Sequence, residues 1–390
     1  MSEVTVVGIG ADGWAGLAGA ARDALASAEV IMGGRRQLDL VPDLPGPRER
    51  VAWPSPMLPA LPGLLEEHRG RRVAVLASGD PMFYGVGTTL VRLLGPERVR
   101  VLPHPSSVSL ACARLGWPVE EVEVVSAVGR PLAALNAALA PGRRILVLSA
   151  DAGTPAQVAA LVRERGCDLT LLENLGAPDE RVGPLREPAA PLNIVAVHCR
   201  GAGGPQVVPG LPDETYDHDG QLTKREIRAI TLARLAPRPG ELLWDVGAGA
   251  GSIGIEWMRA HRACRAIAVE DRADRAARIG ANAAALGVPG LRVVAGRAPA
   301  ALAGLEAPDA IFIGGGVTAP GMVAACRDAL RPGGRLVVNA VTVESERAVA
   351  EAYGRFGGEL TRVAVNRAAP VGGFTGWRAM MPVTQWTVTR

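Results

Sequence analysis

Two α/β domains in series are what the sequence predicts, on three observations. Apolar, β-branched runs recur along the chain, and Ala/Leu/Arg segments of helical period lie between several of them. A Gly/Pro-rich stretch from Cys199 to Pro212 interrupts that alternation near the middle, with the composition of a linker. The length, 390 residues, calls for two or three cores at about 150 residues per domain.

In the first half the expected strands are Val4–Val7, Val73–Leu76, Val122–Val125, Ile145–Leu148, Leu169–Leu172 and Ile194–Val197, with helices at Ala15–Ala28, Thr88–Leu94 and Ala156–Glu164. The second half is more regular. Its expected order is helix Thr223–Leu235, strand Glu241–Val246, a Gly-rich turn, and a helix from Ser252. Strand Ala266–Val269, helix Asp274–Leu286 and strands Leu291–Val294 and Ala310–Ile313 follow. Then come helix Met322–Leu330, strand Leu336–Val341, helix Ser345–Phe356, and closing strands near Leu360–Val365 and Met380–Val388. This is a doubly wound sheet with an antiparallel end. The domain boundaries that result are 1–200, a linker at 201–212, and 213–390.

Composition excludes several classes. With 48% hydrophobic and 21% charged residues the chain is not of disordered type. Its 48 glycines and 31 prolines follow no G-x-y period, so it is not collagenous. No apolar stretch approaches the roughly 18 uncharged residues of a spanning helix, and no basic segment follows Met1 as a signal peptide requires. Cys112, Cys167, Cys199, Cys264 and Cys326 stand singly, which points to a reducing compartment and away from a disulfide framework or a bound metal. A soluble, cytoplasmic protein is expected. The net charge of +3 divides as −1 over residues 1–205 and +4 over 206–390, and aromatic residues are only 4%, so nucleic acid is disfavoured as a partner. Of 42 basic residues only Lys224 is a lysine. GC-rich codon usage explains that bias, while arginine forks also suit a small molecule rich in carboxylates.

The strongest local signal is Trp244-Asp-Val-Gly-Ala-Gly-Ala-Gly-Ser-Ile-Gly254. Gly247, Gly249 and Gly251 follow a buried strand and open a helix, so the turn brings backbone N–H groups close to a ligand. Glu270 ends the next strand, where a carboxylate accepts both hydroxyls of a ribose. A nicotinamide dinucleotide site has nearly the same anatomy. Two features favour S-adenosylmethionine (SAM) instead: Ser252 replaces the third fingerprint glycine, and Asp245 suits a cationic amino-acid end better than a pyrophosphate. Gly8-Ile-Gly-Ala-Asp-Gly13 is a literal G-x-G-x-x-G, yet Val30-Ile-Met-Gly-Gly34 supplies no acid at the end of the second strand. Gly79-Asp80-Pro81 makes a rigid turn whose acid either caps the next helix or faces a cationic ligand.

These segments occur in a telling order. Val7–Gly10, Gly33–Leu38, Ser78-Gly-Asp-Pro-Met-Phe83, His104-Pro-Ser-Ser-Val-Ser109, Ser126–Arg130 and Glu173–Gly176 together resemble the tetrapyrrole methylase family, in particular its C5-methylating members of cobalamin synthesis. Gly220-Gln-Leu-Thr-Lys-Arg-Glu-Ile-Arg228, Asp245–Gly254, Val269-Glu270, Gly296-Arg-Ala-Pro299 and Pro308–Gly316 resemble the partner enzymes that methylate C15 and decarboxylate. The resemblance covers nearly the whole chain in the order of the fused, bifunctional form. It implies an N-terminal class III methyltransferase domain of two α/β subdomains and a Rossmann-like class I domain after it. The implied activity is methylation of precorrin-6B at C5 and C15 with decarboxylation of the C12 acetate side chain, giving precorrin-8.

One SAM per domain is implied. Its expected contacts are Gly8, Gly10, Gly79, Asp80, Met82, Phe83 and Ser107 in the first domain. In the second they are Thr223, Asp245, Gly247, Ala248, Gly249, Ala250, Gly251, Glu270, Arg297 and Ala298. Relatives often carry Gly-x-Gly-Pro-Gly near the start, whereas this chain has Ala11 and Asp12 in that run. Methyl transfer from a sulfonium needs no protein nucleophile, since near-attack positioning is worth about 7–11 kcal/mol. Decarboxylation needs an electron sink and hence a proton donor, for which Lys224, Tyr216 and His218 are candidates. Thr223 also reads as a helix N-cap with Glu226 completing a capping box. Gly314, Gly315 and Gly316 end a strand at the ligand-binding edge and leave room for a bulky planar substrate, with Asn339 and Thr342 as neighbours. Arg272–Arg278 and Arg297 are read as partners for propionates and acetates, or as helix-surface salt bridges. The C-terminal relatives are tetrameric, which implies a homo-oligomer, with a tetramer through the C-terminal domain as the form to expect.

Overall fold

The computed structural model describes residues 4–200 and 209–390. The chain divides into two compact units, Met1–Leu132 with Pro141–Ala202, and Ala133–Ala140 with Gly203–Arg390. Positions 201–208 of the expected linker lie outside the described residues.

The first unit holds two sheets. Strands β1 (Val4–Ile9), β2 (Val30–Gly33), β3 (Glu49–Ala52), β4 (Val73–Ser78) and β5 (Val99–Leu102) form a wholly parallel sheet ordered β3-β2-β4-β1-β5. Its central strands are apolar on both faces because each face carries its own core: Val7, Ile31 and Leu76 on one side, Val6, Met32 and Val75 on the other. The second sheet is mixed, ordered β6-β7-β10-β8-β9, from β6 (Val122–Ser126), β7 (Arg144–Leu148), β8 (Cys167–Glu173), β9 (Arg181–Gly183) and β10 (Asn193–Cys199). These are the two α/β subdomains expected. Cys167 and Cys199, far apart in sequence, are register partners with their Sγ atoms 3.3 Å apart.

The second unit is a seven-stranded sheet ordered β13-β12-β11-β14-β15-β19-β16 plus a separate hairpin, β17 with β18. The strands are β11 (Leu242–Val246), β12 (Arg265–Glu270), β13 (Arg292–Ala295), β14 (Ala310–Ile313), β15 (Arg335–Ala340), β16 (Glu359–Val363), β17 (Asn366–Val371), β18 (Phe374–Ala379) and β19 (Val383–Thr389). The first five run parallel, and β19 is antiparallel to both β15 and β16. Strand order reverses between β11 and β14, the switch point at which open α/β sheets place ligands. Alternation along β11 sends Leu242, Trp244 and Val246 to one core and Leu243 to the other. Among the described residues no helix is long and apolar enough to cross a membrane.

Several elements depart from expectation. The helix expected at Ala15–Ala28 is broken into Gly13–Gly16 and Gly19–Ser27 by an extended Leu17–Ala18. Helices Met57–Glu67 and Ser107–Leu115, strands β3, β5 and β9, and the β17–β18 hairpin were not expected.

Candidate active sites

Each unit has its own pocket at the carboxyl ends of its parallel strands. The larger, about 1170 Å³, belongs to the second unit. It lies over the ends of β11, β12, β14 and β15, between the Gly220–Lys224 segment and the β17–β18 hairpin.

The Gly-rich turn forms its floor. Gly247 sits at φ +67°, and a Cβ there would lie 2.8 Å from the backbone nitrogen of Gly315. The turns after β11 and β14 therefore touch backbone to backbone, which is why position 247 is glycine. Gly247, Ala248 and Gly249 line the cleft, as do Gly314, Gly315 and Gly316; Ala250 and Gly251 do not, having turned under the following helix. Glu270, 4% exposed, is fixed by the N–H of Gly249 onto Oε2 (2.8 Å) and that of Arg272 onto Oε1 (3.2 Å). An ionised carboxylate offers about four acceptor sites, so both oxygens keep one for a ligand. Thr223, Arg297 and Ala298 complete this side.

Asp245 is placed otherwise than expected. Alternation turns it to the face covered by helix Ser252–Ala260, where Oδ2 accepts the Gly254 N–H at 2.9 Å. It is 1% exposed, does not line the cleft, and its Oδ1 has no partner among the described residues. Burial pushes its carboxyl up to about 7, against the lowering by the Gly254 bond and with a further rise from Glu270.

The three proton-donor candidates separate clearly. Tyr216 is buried, its hydroxyl donating to Glu256 Oε1 at 2.9 Å in a cluster with Arg228 and Asp213. Burial, reinforced by the negative Glu256, pushes its phenol far above the ordinary range. It is a structural hydrogen bond and does not reach the cleft. His218 also lies off the cleft, with Nδ1 accepting the Gly220 N–H at 3.0 Å. Lys224 lines it.

The expected N-cap at Thr223 moves as well. The helix is Arg225–Leu235 with Lys224 as N-cap and no side-chain cap bond. The Arg225 N–H donates instead to Asp213 Oδ1 at 2.9 Å, and Glu226 pairs with Arg367 at 2.6 Å rather than closing a capping box. Asn339 lines the cleft, with Nδ2 donating to Thr231 Oγ1 (3.0 Å) and Oδ1 accepting from its register partner Gln385 (2.9 Å). Thr342 does not; it is the N-cap of helix Val343–Phe356, in a reciprocal capping box with Ser345. Within Arg272–Arg278, Arg275 pairs with Asp219 and Arg272 with Asp274, as the salt-bridge reading had it.

The smaller pocket, about 320 Å³, lies in the first unit beside Gly8, Gly10, Asp12, His104 and Gly176. At Gly10 a Cβ would fall 2.5 Å from Asp12 Oδ1 and 2.6 Å from His104 Nε2, so this glycine makes room for two side chains. Those atoms lie 3.3 Å apart, yet Asp12 Oδ1 is buried without a well-formed hydrogen bond. Gly79 follows β4 beside Gly8. Asp80 Oδ1 accepts the Met82 N–H at 2.8 Å in a local turn, and the next helix starts only at Val86, so Asp80 is not its cap. Met82 and Phe83 are about two-fifths exposed. Ser107 opens helix Ser107–Leu115, capped by Ser106. None of Gly79, Asp80, Met82, Phe83 and Ser107 lines the pocket. The residues that sequence reasoning missed are Asp12 as a pocket wall, His104, and the hairpin residues Arg367 and Arg378.

Residues 3–189 match the Tetrapyrrole (Corrin/Porphyrin) Methylases, and residues 214–390 match the Precorrin methyltransferase domain. A decarboxylating precorrin-6Y C(5,15)-methyltransferase of a Sinorhizobium species is 48% identical, covering 99% of this chain and 96% of the relative. Its namesake from Mycobacterium tuberculosis is 48% identical over 99% of this chain and 100% of the relative. The crystallised C-terminal domain of the Rhodobacter capsulatus precorrin-6Y C5,15-methyltransferase is 47% identical, covering 47% of this chain and 100% of that one at a TM-score of 0.45.

Proposed function

This chain belongs to the decarboxylating precorrin-6Y C(5,15)-methyltransferases of cobalamin biosynthesis, and on that premise we propose that its two units divide the chemistry. Residues 1–200 methylate C5 of a precorrin-6B acceptor, and 213–390 methylate C15 and decarboxylate the C12 acetate side chain, releasing CO2 and leaving a methyl group on C12, each unit binding its own SAM. The observation that carries this division is the presence of a separate glycine-turn pocket in each unit.

The residues present fit SAM. In the second unit Glu270 presents a free acceptor on each oxygen, as two ribose hydroxyls require, and about 1170 Å³ exceeds the usual 300–1,000 Å³ of a single-ligand pocket, leaving room for a macrocycle beside it. In the first unit Gly8, Gly10 and Asp12 wall the pocket, with Asp12 Oδ1 turned to His104 Nε2 at 3.3 Å. When bound, SAM supplies a methyl group on a positive sulfur. The chain's part is to hold and orient. Gly247–Gly249 and Glu270 hold the adenosyl side, and the open Gly314–Gly316 turn seats a planar acceptor without side chains in its way. Lys224, the one candidate donor at the cleft, holds the proton that decarboxylation requires.

Incubating the full chain with SAM and precorrin-6B and reading product mass tests the whole assignment: two methyl groups gained and one CO2 lost is the expected outcome. No mass change with SAM still bound would overturn the substrate assignment.

A further inference from the structure

The β17–β18 hairpin forms one wall of the larger cleft through Arg367, Ala369 and Arg378. Its register sets Arg367 directly opposite Arg378, Ala369 opposite Gly376, and Val371 opposite Phe374. Directly paired residues share a face. That face therefore runs from two guanidinium groups, across two small residues, to an apolar tip at which Phe374 is 85% exposed.

Like charges directly opposite one another in an antiparallel ladder are destabilising. Arg367 is neutralised, pairing with Glu226 at 2.6 Å and Asp213 at 3.4 Å, so it ties the hairpin base to the helix beside the cleft. Arg378 is exposed and has no partner among the described residues. Lys224 and Arg297 also line the cleft without a side-chain partner among those residues. The only acids in the lining are Glu270 and Asp271, and Glu270 is already held by two N–H groups. Three unpaired cations on three separate elements around one cavity fit a ligand with several carboxylates. A flat strip leading from Arg378 to an apolar tip fits one whose carboxylates fringe a hydrophobic plane.

We propose that the β17–β18 hairpin is the substrate-recognition element of the C-terminal site, and that Arg378 is its specificity-determining residue, forking onto a peripheral carboxylate of the macrocycle. This rests on the reading that the cleft takes a tetrapyrrole, and deepens it. The bidentate fork makes arginine the residue for this task, and lysine only a partial substitute.

The test uses the full chain with uroporphyrin, a porphyrin bearing eight carboxylates, followed by its own fluorescence, alongside SAM calorimetry and steady-state kinetics with precorrin-6B. Arg378→Ala is expected to weaken porphyrin binding and raise the precorrin KM by about tenfold or more, as loss of a charged hydrogen bond does. The SAM affinity, kcat and melting temperature should stay at wild-type values. Arg378→Lys should recover part of the loss, and full methyl esterification of the porphyrin should erase the difference between wild type and Arg378→Ala. Unchanged porphyrin affinity in Arg378→Ala would overturn the proposal, as would an equal loss of SAM affinity. If wild type binds uroporphyrin in an Arg378-dependent manner but transfers no methyl group to precorrin-6B, the carboxylate site stands and the assigned reaction falls.

Discussion

Asp245 and Glu270 belong to neighbouring parallel strands and face the same core, but the fold gives them opposite surroundings. Glu270 stands at the cleft with two backbone donors, whereas Asp245 is sealed beneath helix Ser252–Ala260. Its folded value of about 7 lies above the roughly 3.9 of an unfolded chain. Between those two values the native state binds more protons than the unfolded one, so stability from this group is complete at low pH and declines as pH rises toward 7. Asp245→Asn should flatten that decline and be more stable at pH 8 by on the order of 2 kcal/mol, read from urea midpoints at pH 5 and pH 8. Tyr216→Phe should cost about 1–3 kcal/mol of stability, because Glu256 loses a buried donor, while leaving CO2 release intact. Lys224→Met should show the reverse pattern, with decarboxylation lost and the urea midpoint kept. The identity of these residues was legible in the sequence, but their orientation was not. Motif spacing says that Asp245 precedes a glycine turn; only the helix packed on that face shows where its carboxylate goes.

Among the elements, the Gly220–Lys224 segment owes its position to a buried ion cluster. Arg228 is wholly buried, pairs with Glu256 and Asp213, and donates to the carbonyls of Leu211 and Thr223. Arg228→Met would strand the Glu256 carboxylate, and breaking such a pair typically costs about 3–5 kcal/mol. Equilibrium unfolding should show that loss, and calorimetry a weaker SAM site in the second unit. Elements with clean periodicity were readable in advance: β14 has the bounds expected, and β11, β12 and β15 differ by a residue or so. Those missed are the ones whose local chemistry argues against them. Helix Met57–Glu67 carries Pro62 inside it, and β17 and β18 contain Pro370, Gly376 and flanking glycines that read as loop. The helix broken at Leu17–Ala18 has Gly16 and Gly19 on either side of the break, weak helix formers whose signal the surrounding alanine-rich period masks.

For the whole molecule, two pockets on two units predict two independent SAM equilibria per chain. Glu270→Ala should remove the one in the second unit, so that calorimetric stoichiometry falls from about two to about one, and the methyl group missing from the product identifies which carbon that unit serves. A Gly10→Val variant, whose side chain would displace Asp12 and His104, should remove the other equilibrium. Two α/β segments could be read on either side of the interruption near residue 200, and the doubly wound class of the second, with its antiparallel end, from its alternating pattern. Contacts made at long range could not. The Cys167–Cys199 approach and the Asp12–His104 contact join residues whose sequence separation carries no periodic signal.

The bias toward arginine gives the second cleft a chemical address. Lys224 is the sole lysine of the chain and lines that cleft, so apart from the α-amino group it carries the only primary amine an acylating reagent can find. Labelling with a mild amine-directed ester therefore acts as a footprint of one cavity. Incorporation at Lys224, read by peptide mass, should slow in proportion to occupancy as a cleft ligand is titrated, with the α-amino group as an internal reference.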